Sequence, residues 1–458
     1  MSTMTRSSTG FGDPSLLSAL LSGERFWPTE PQSLHEIGLS EPFLESLVCK
    51  LLLVNGTMRG RTIAADVCLP FSIIESILDR GRNHKLISHC GSGPLNEYSY
   101  TLTDEGRKRS RAYQQECAYV GPAPVPLMDY VISVEAQAIN EEPIRRADLE
   151  DVFHDISVSP DLLDLLGPAM NSASGLFLYG APGNGKSTLA NRITSCFGQE
   201  IWLPYAFIEG RDIVTVFDPT YHRQVPQGSL PNSESNLYDR RWARVGRPTV
   251  VVGGELTMDS LEIRHDPDTK FSEAPLQLKS NCGCLLIDDF GRQRISPEEL
   301  LNRWIIPLEN RHDFLTLATG KKIKVPFEQL IIFSTNLDPA DLVDEAFLRR
   351  IPYRIEVCDP TEDECHRLFQ LAADKEGCSY NPEAVEHLLE KYYRSTDRAL
   401  RRCHPRDLMQ QIRHYCTYND LPFEMLPEHF DRIAHSFFTS VQTKSNQLNS
   451  NALQPSVR

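Results

Sequence analysis

The stretch GAPGNGKS, residues 180–187, constrains the fold more than any other feature, because it joins an apolar run, LFLY, to a helical pattern. It fits G-x-x-x-x-G-K-[ST] in full, with the expected strand before it and helix after it. Glycines let the backbone approach a phosphate, and the N–H groups of the loop and helix N-terminus converge on the anion. The sequence therefore predicts a phosphate-binding loop. Its residues are Gly180, Ala181, Pro182, Gly183, Asn184, Gly185, Lys186, Ser187 and Thr188.

Two residues of this loop and a pair of aspartates predict ATP and Mg²⁺ as ligands. Lys186 is expected to reach the β- and γ-phosphates, and the Ser187 hydroxyl to ligate Mg²⁺. The run GCLLI places Asp288 and Asp289 at the carboxyl end of a strand, where ligands bind in open α/β sheets. Asp288 is expected to hold Mg²⁺ through water, and Asp289 to act as general base toward an attacking water. The alternative for this pair is a turn or a helix N-cap.

Compact apolar runs alternate with helical patterns from Leu176 to about Val357. LFLY, GCLLI, QLIIF and YRIEV each end in turn residues, as expected for strands of a parallel sheet with helices on both faces. After DPTEDE the pattern is helical only, through Phe438. The predicted fold class is α/β, followed by an all-helical unit.

Composition narrows the classes of protein that this chain can represent. A length of 458 residues suggests two or three domains. The net charge of −15 argues against wholesale electrostatic binding to nucleic acid. The chain shows neither a membrane-spanning apolar run nor a signal-peptide pattern, so a cytoplasmic location is expected. The twelve cysteines include no C-x-x-C pair, which favours reduced thiols over a zinc site.

These motifs together resemble the AAA+ ATPases, a family of P-loop enzymes. In family terms, GAPGNGKS resembles Walker A, LLIDD resembles Walker B and IIFSTN resembles sensor 1. The stretch DEAFLRRIPYRIEV resembles the arginine-finger region, and HPRDLMQQI resembles sensor 2 at the start of a lid helix. The resemblance covers about 250 residues and implies ATP hydrolysis in a ring-shaped homo-oligomer, with a hexamer as one candidate. Asp289 departs from the glutamate usual at this position, which leaves slow turnover open.

The resemblance also assigns roles to four polar residues. Asn336 would orient the attacking water, and an Asx-turn before Pro339 is the alternative. Arg349 and Arg350 are both candidates for a finger that reaches a neighbouring subunit's γ-phosphate, and a solvated pair is the alternative. Arg406 would close onto the γ-phosphate from the lid.

For Arg406 the alternative is a surface ion pair with Asp407. The later motifs are individually weaker than the phosphate loop. Their order along the chain makes the resemblance specific.

Two insertions are similar to those of the MoxR-like and enhancer-binding branch of the family. One begins at VVVGGEL before Walker B, and it resembles a helix-2 insertion whose loop points to the ring's pore. The other, HDFLTLATGKKIKVPFEQL, predicts a hairpin that turns at Gly320. Residues that could touch a threaded or remodelled partner are Leu256, Met258, Lys321, Lys322 and Lys324. Ordinary surface structure is the alternative.

The amino-terminal part resembles a winged helix. Two helical patterns are followed by the strand-like runs LISHC and YSYTL and by a further helix that Thr103 is expected to cap. Residues 56–112 hold nine Lys or Arg against six Asp or Glu, a local charge of +3. DNA contact through this region and a protein-docking role both stay open, because the second helix begins with the mostly apolar FSIIES.

The predicted organisation has six parts. They are a disordered tail (1–35), a winged-helix-like α+β domain (36–119), a linker (120–150), the large α/β AAA+ ATPase domain (151–358), a helical lid (359–440) and a disordered tail (441–458). The predicted function is that of an ATP-hydrolysing AAA+ remodelling or chaperone-like protein acting on a protein or protein–DNA target. The alternatives are a nucleotide-dependent DNA-binding regulator or switch with little hydrolysis, and a small-molecule kinase, which the helical lid disfavours.

Overall fold

The computed structural model describes residues 26–92, 98–139, 143–156, 158–198, 200–226, 238–343 and 345–438. The helices are α1 (Leu34–Ile37), α2 (Glu41–Asn55), α3 (Gly60–Asp66), α4 (Phe71–Asn83), α5 (Asp104–Glu116), α6 (Leu127–Glu135), α7 (Arg146–Phe153), α8 (Pro160–Asn171), α9 (Lys186–Ile193), α10 (Leu276–Lys279), α11 (Pro297–Asn310), α12 (Pro339–Leu342), α13 (Glu345–Leu348), α14 (Glu362–Glu376), α15 (Pro382–Leu388), α16 (His404–Tyr418) and α17 (Pro427–Phe437).

The strands are β1 (Met58–Arg59), β2 (Ile87–Ser92), β3 (Tyr98–Leu102), β4 (Val125–Pro126), β5 (Leu176–Tyr179), β6 (Glu200–Pro204), β7 (Ala206–Glu209), β8 (Asp212–Thr215), β9 (Trp242–Gly246), β10 (Thr249–Val252), β11 (Arg264–His265), β12 (Ser272–Glu273), β13 (Cys284–Ile287), β14 (His312–Thr316), β15 (Lys322–Pro326), β16 (Leu330–Thr335) and β17 (Tyr353–Glu356). Short 3₁₀ turns cover Thr194–Phe197, Met258–Leu261 and Arg394–Thr396, and a π-helical turn covers Leu389–Tyr393.

The amino-terminal elements form a small α+β unit. Strands β1, β3 and β2 make an antiparallel sheet in that order, with Ile87 opposite Leu102. Helices α2 to α5 surround it and bury one shared apolar cluster. Thr103 caps α5, since its hydroxyl accepts a 3.0 Å hydrogen bond from the Gly106 N–H, as predicted. The loop that joins β2 to β3 falls on residues 93–97, outside the described residues.

A five-stranded parallel sheet is the centre of the molecule. Its strand order is β10-β13-β16-β5-β17. Side chains alternate between two apolar layers: Leu178 and Ile332 pack toward α7 to α9, whereas Phe177 and Phe333 pack toward α11. Because both faces are covered, the central strands β5, β13 and β16 are buried along nearly their whole length, whereas the edge strands β10 and β17 alternate between buried and more exposed residues. The four strands predicted from the sequence are confirmed, and β10 is a fifth that was not predicted.

A second β unit lies between the amino-terminal part and the central sheet. It contains a sheet of order β11-β12-β8-β7-β4 and two hairpin-like pairs, β6–β9 and β14–β15. The β14–β15 hairpin agrees with the prediction, with Phe314 opposite Lys324. The unit has its own apolar core, which includes Trp202 and Phe207.

Two predicted segments need correction. Residues 120–150, expected to be a linker, contain β4, α6 and part of α7; Tyr130 is fully buried against Phe207, with stacked ring centroids 5.3 Å apart. Residues 26–35 were expected to be disordered, yet Phe26 is only 2% exposed and packs on Trp242. In both places apolar side chains occur within proline-rich or polar surroundings, and burial outweighs the local composition. The rest of the predicted tails, 1–25 and 441–458, lies outside the described residues.

The last described elements, α14 to α17, form a helical unit. Its helices bury a separate apolar cluster in which Phe369 packs edge-to-face on Phe430. Thr361 and Glu364 form a capping box at the start of α14, and Pro405 lies in the first turn of α16. Within the described residues, no helix is long and apolar enough to cross a membrane.

Candidate functional site: a phosphate loop facing two aspartates

The predicted phosphate loop connects β5 directly to α9. Gly183 and Gly185 have φ angles of 83° and 84°, in the left-handed region that favours glycine. At Gly180 a side chain is excluded, because its Cβ would lie 2.6 Å from the Val357 carbonyl oxygen. The backbone N–H groups of residues 185–188 donate no hydrogen bond to any described residue. The loop therefore presents a cluster of free donors at the N-terminus of α9, as an anion site requires.

Lys186 lies beneath this loop and is only 6% exposed. Its Nζ donates to the carbonyl oxygens of Gly180 and Ala181 at 3.0 Å each, and to Oδ1 of Asn336 at 2.7 Å. No described carboxylate forms an ion pair with it. Burial lowers the pKa of the Lys186 ammonium, while the charges of the two aspartates oppose that shift. A buried cation held only by neutral oxygens is suited to bind an incoming anion.

The aspartate pair follows β13, as predicted. The Ser187 hydroxyl donates a 2.7 Å hydrogen bond to Oδ2 of Asp288. Asp289 has a φ of 50°, in the left-handed region, and its Oδ1 accepts a 3.0 Å hydrogen bond from Nδ2 of Asn336. The turn interpretation of the pair is thus partly correct for the backbone. The side chains nevertheless face the phosphate loop rather than capping a helix.

The strand order explains why these groups meet. Strand β16 lies between β13 and β5, so Asn336, just beyond β16, sits between the aspartates and the phosphate loop. Its amide contacts both sides, accepting from Lys186 and donating to Asp289. The three groups therefore share one edge of the parallel sheet, its carboxyl edge, where ligands of such sheets bind.

A cavity of about 520 Å³ opens over these residues. Lys186, Ser187, Asp288, Asp289 and Asn336 line its polar part. The apolar part is lined by Ile156, Val158, Leu162 and Leu368. A pocket lined both by an anion cradle and by aliphatic side chains fits a ligand that carries phosphates and an apolar group.

The donor set also fits a magnesium ion. The Ser187 hydroxyl and the Asp288 carboxylate supply oxygen ligands from two elements, and Mg²⁺ is typically held by one or two protein oxygens, waters and substrate phosphates. The described residues contain no cluster of three His, Cys, Asp or Glu that could form a self-sufficient metal site. These two residues would therefore hold the ion only together with a phosphate ligand.

Comparison with known proteins adds one family match and several structural similarities. Residues 361–436 match the model of a domain of unknown function, DUF8689. Among solved structures, the chain is similar to NtrX from Brucella abortus, with 13% identity, 68% of this chain and 62% of that chain covered, and a TM-score of 0.39. It is also similar to the RuvB Holliday junction branch migration motor of Thermotoga maritima, with 16% identity, 61% and 69% covered, and a TM-score of 0.35.

The match thus spans less than two thirds of the NtrX chain, 62% of its length. No curated protein matches the sequence. The DUF8689 match coincides with helices α14 to α17, including the start of α16 that lines the cavity.

Arginines at the start of α16 and after α13 differ in their surroundings. Arg406 lines the cavity and also bonds Asp407, with Nη2–Oδ1 at 2.8 Å, so both of its predicted environments occur together. Arg350 pairs with Glu309 at 2.7 Å. Arg349 is exposed and has no ion pair with a described residue. Neither Arg349 nor Arg350 lines the cavity of its own chain.

Two contributors to the site were missed in the sequence, and a third residue was given a different role. Arg402 lines the cavity and bonds both carboxylate oxygens of Glu364 at 3.1 Å. Gln293 donates to the carbonyl oxygens of Asp288 and Asp289 at 2.8 and 3.1 Å, and so ties down the loop after β13. Asn184 had been assigned to the ligand, yet its side chain bonds the protein. Two arginines stand shortly before Pro405, and this pattern could have predicted a helix that begins with cations. No sequence pattern predicts the Gln293 contacts.

The residues predicted to touch a threaded or remodelled partner differ in their exposure and contacts. Leu256 is 1% exposed and packs in the core, so the prediction that it contacts a partner is wrong. Farther along the same insertion, β12 pairs with β8 in the second sheet. Met258 is 38% exposed. On the hairpin, Lys322 and Lys324 are exposed, whereas Lys321 pairs with Glu209.

Proposed function

We propose that this chain binds and hydrolyses ATP as an AAA+ type P-loop ATPase. The observation that carries the proposal is the convergence of Lys186, Ser187, Asp288, Asp289 and Asn336 on one cavity from three strand ends. Free N–H groups and a buried ammonium suit the β- and γ-phosphates. Carboxylates directly across the cavity suit hydrolysis rather than binding alone.

Each residue has a definable part in the proposed reaction. Lys186 and the loop N–H groups hold the phosphate oxygens and stabilise charge that develops on them. Asp289 accepts a proton from the water as its oxygen bonds to the γ-phosphorus and the bond to the bridging oxygen breaks. Asn336 orients that water. Mg²⁺, held by Ser187 and Asp288, would supply further charge neutralisation between the β- and γ-phosphates.

The remaining parts of the chain have proposed roles of their own. The helices of residues 359–440 would be a lid that contributes Arg406 to the site, and residues 151–358 the ATPase domain. Arg349, exposed and remote from its own cavity, is the better candidate for a finger acting on a neighbouring subunit. That role implies a homo-oligomeric ring, because each site would be completed by the next copy.

The amino-terminal unit, residues 36–119, would be a winged-helix-like docking module for a protein target. Its helix α4 exposes Glu75, Asp79 and Arg82, and Arg82 is paired with Asp79 at 3.0 Å. A helix that reads DNA presents cations or amides to the bases, and two exposed acids would repel the phosphates. The exposed face of α4 therefore favours a protein partner over DNA.

Nucleotide binding and phosphate release measured on the purified chain test the proposal. We expect ATP binding, Mg²⁺-dependent release of phosphate and loss of both on Lys186→Ala. A protein that binds ATP without releasing phosphate would be a nucleotide switch instead. Transfer of phosphate to a small-molecule acceptor would make it a kinase, and no binding of any nucleoside triphosphate would defeat the proposal.

A further inference from the structure

Two connections to the C-terminal helical unit pass beside the phosphate loop. Residues 357–360 lead from β17 into α14, and residues 401–403 lead into α16. Of these two segments, here called the lid connections, the first is where a movement of α14 to α17 relative to the sheet would be absorbed, and the second belongs to the helical unit itself. What fixes them to the loop therefore decides how the helical unit is oriented.

Asn184 of the phosphate loop contacts both lid connections and is 1% exposed. Its Nδ2 donates to the Val357 carbonyl oxygen at 3.2 Å and to Oδ1 of Asp359 at 2.7 Å. Its Oδ1 accepts from the Arg402 N–H at 3.4 Å. Both ends of this amide are thus used on residues that flank the helical unit.

Further contacts close the network around Asn184. Asp359 forms an ion pair with Arg401, which joins the two lid connections to each other. The Cys403 N–H donates to the Gly183 carbonyl oxygen at 2.9 Å, one residue from Asn184. The backbone hydrogen bond between Cys403 and Gly183 thus lies beside the contact between Arg402 and the Asn184 side chain. Because the residues are adjacent on both segments, the two contacts should shift together.

We propose that Asn184 is a positioning residue that couples the phosphate loop to the orientation of helices α14 to α17. This inference rests on the proposed function for the claim that the loop holds phosphate. A loop conformation that nucleotide stabilises keeps the Asn184 amide turned toward Asp359, and so favours one orientation of the helical unit. In return, a helical unit held in that orientation keeps the loop ready for phosphate, since coupling between two sites is reciprocal.

The contact depends on an amide facing a carboxylate. In Asn184→Asp, two carboxylates would meet at the position of a partly buried 2.7 Å hydrogen bond, and the pair would separate or take up a proton. Adding Asp359→Asn restores a donor and an acceptor in the reverse order. This exchange keeps the side-chain volumes and restores this one hydrogen bond, whereas the bond to the Val357 carbonyl and the Arg401–Asp359 ion pair stay lost.

Amide hydrogen exchange on the full chain without nucleotide tests the contact directly. For N184D we expect exchange of residues 401–403 to accelerate about tenfold, as the loss of about one buried hydrogen bond to a charged group implies. The double variant N184D/D359N should recover part of the protection, because it regains the contact between positions 184 and 359. Asp363→Asn repeats the charge change of D359N at an exposed acid on α14 whose side chain has no hydrogen bond or ion pair with a described residue, so it is the matched control for that half of the double variant and should match the wild type.

Kinetics then separate positioning from stability. A mispositioned helical unit should raise KM for ATP about tenfold in N184D, with partial recovery in the double variant. A merely structural defect would lower kcat through loss of folded protein and leave KM unchanged. Should N184D fail to fold, Asp359→Ala removes the same contact from the other side and is measured in the same way.

The outcomes separate this inference from the proposed function. Unchanged exchange at residues 401–403 in both N184D and Asp359→Ala would overturn the coupling, whether or not ATP is hydrolysed. A wild-type protein without nucleotide binding would defeat the proposed function, while the exchange results without nucleotide would still decide whether Asn184 orients the helical unit.

Discussion

The hydroxyl of Ser187 donates a 2.7 Å hydrogen bond to Oδ2 of Asp288, although 101 positions separate the two residues along the chain. The contact joins the first turn of α9 to the end of β13 across the intervening strand β16. The contact holds these two oxygen atoms, which come from separate elements, close enough to bind the same ligand. The predictions below follow from this arrangement and from the groups around it.

Lys186→Ala should abolish nucleotide binding, because it removes the buried cation of the anion cradle. Nucleotide at about one hundred times Kd stabilises a folded protein by about 2.7 kcal/mol, which gives a clear rise in thermal midpoint for the wild type and none for the variant. Lys322→Ala, a change of the same size on the exposed hairpin, should retain the full rise. Equal midpoint shifts in Lys186→Ala and the wild type would remove the loop from the mechanism.

Asp289→Asn should retain ATP but hydrolyse it about 10²–10⁴-fold more slowly, since the amide cannot accept the proton of the attacking water. The Asn336 contact can persist because an asparagine oxygen still accepts a hydrogen bond. Phosphate release checks the slow hydrolysis, and the bound-nucleotide content of the same preparation checks the retention of ATP. Normal turnover by Asp289→Asn would place the general base elsewhere.

Much of the site could be predicted because its groups lie in short, ordered motifs. The loop from Gly180 to Thr188, the pair Asp288 and Asp289, and Asn336 each follow an apolar strand, and strand ends of a parallel sheet meet at one edge. Arg406 was placed correctly because Pro405 marks the first turn of a helix. These inferences needed only local patterns and one rule about parallel sheets.

The parts that were missed depend on pairing between distant segments. Strand β4 joins β7 in the second sheet, and no local pattern in VGPAPVPL indicates that partner. The burial of Leu256 likewise depends on tertiary packing against the core that contains Leu261. The contact between Asn184 and Asp359 joins two turns of ordinary composition. Side-chain pairs of this kind have no spacing that a sequence could display.

His404, the first residue of α16, should make stability depend on pH between about 6.5 and 4. Burial and the charges of Arg401 and Arg398 lower the pKa of the folded imidazole from 6.5 to about 4. The charges of Asp407 and Asp359 oppose this shift. Within that window the unfolded chain binds the extra proton, so the free energy of unfolding falls as pH falls. For this partly exposed ring we expect a loss of about 1–2 kcal/mol.

Urea unfolding of the wild type and of His404→Gln at pH 7 and pH 4.5 isolates this contribution. Because glutamine does not titrate, the lower pH should reduce the free energy of unfolding of the wild type more than that of the variant. A difference that stays constant between the two values would show that His404 is not held neutral.

Arg349→Ala should lower turnover about 10³-fold while sparing ATP affinity, if Arg349 completes the site of a neighbouring copy. Arg350→Ala should have a much smaller effect, because Arg350 is held by Glu309 at 2.7 Å. Mixing Arg349→Ala with Lys186→Ala subunits separates action in trans from action in cis. In random mixed rings, half of the sites bind nucleotide and half of those face an intact Arg349, so about a quarter of wild-type turnover should return. No recovery on mixing, with mixed oligomers present by size measurement, would show that the arginine does not act across a subunit boundary.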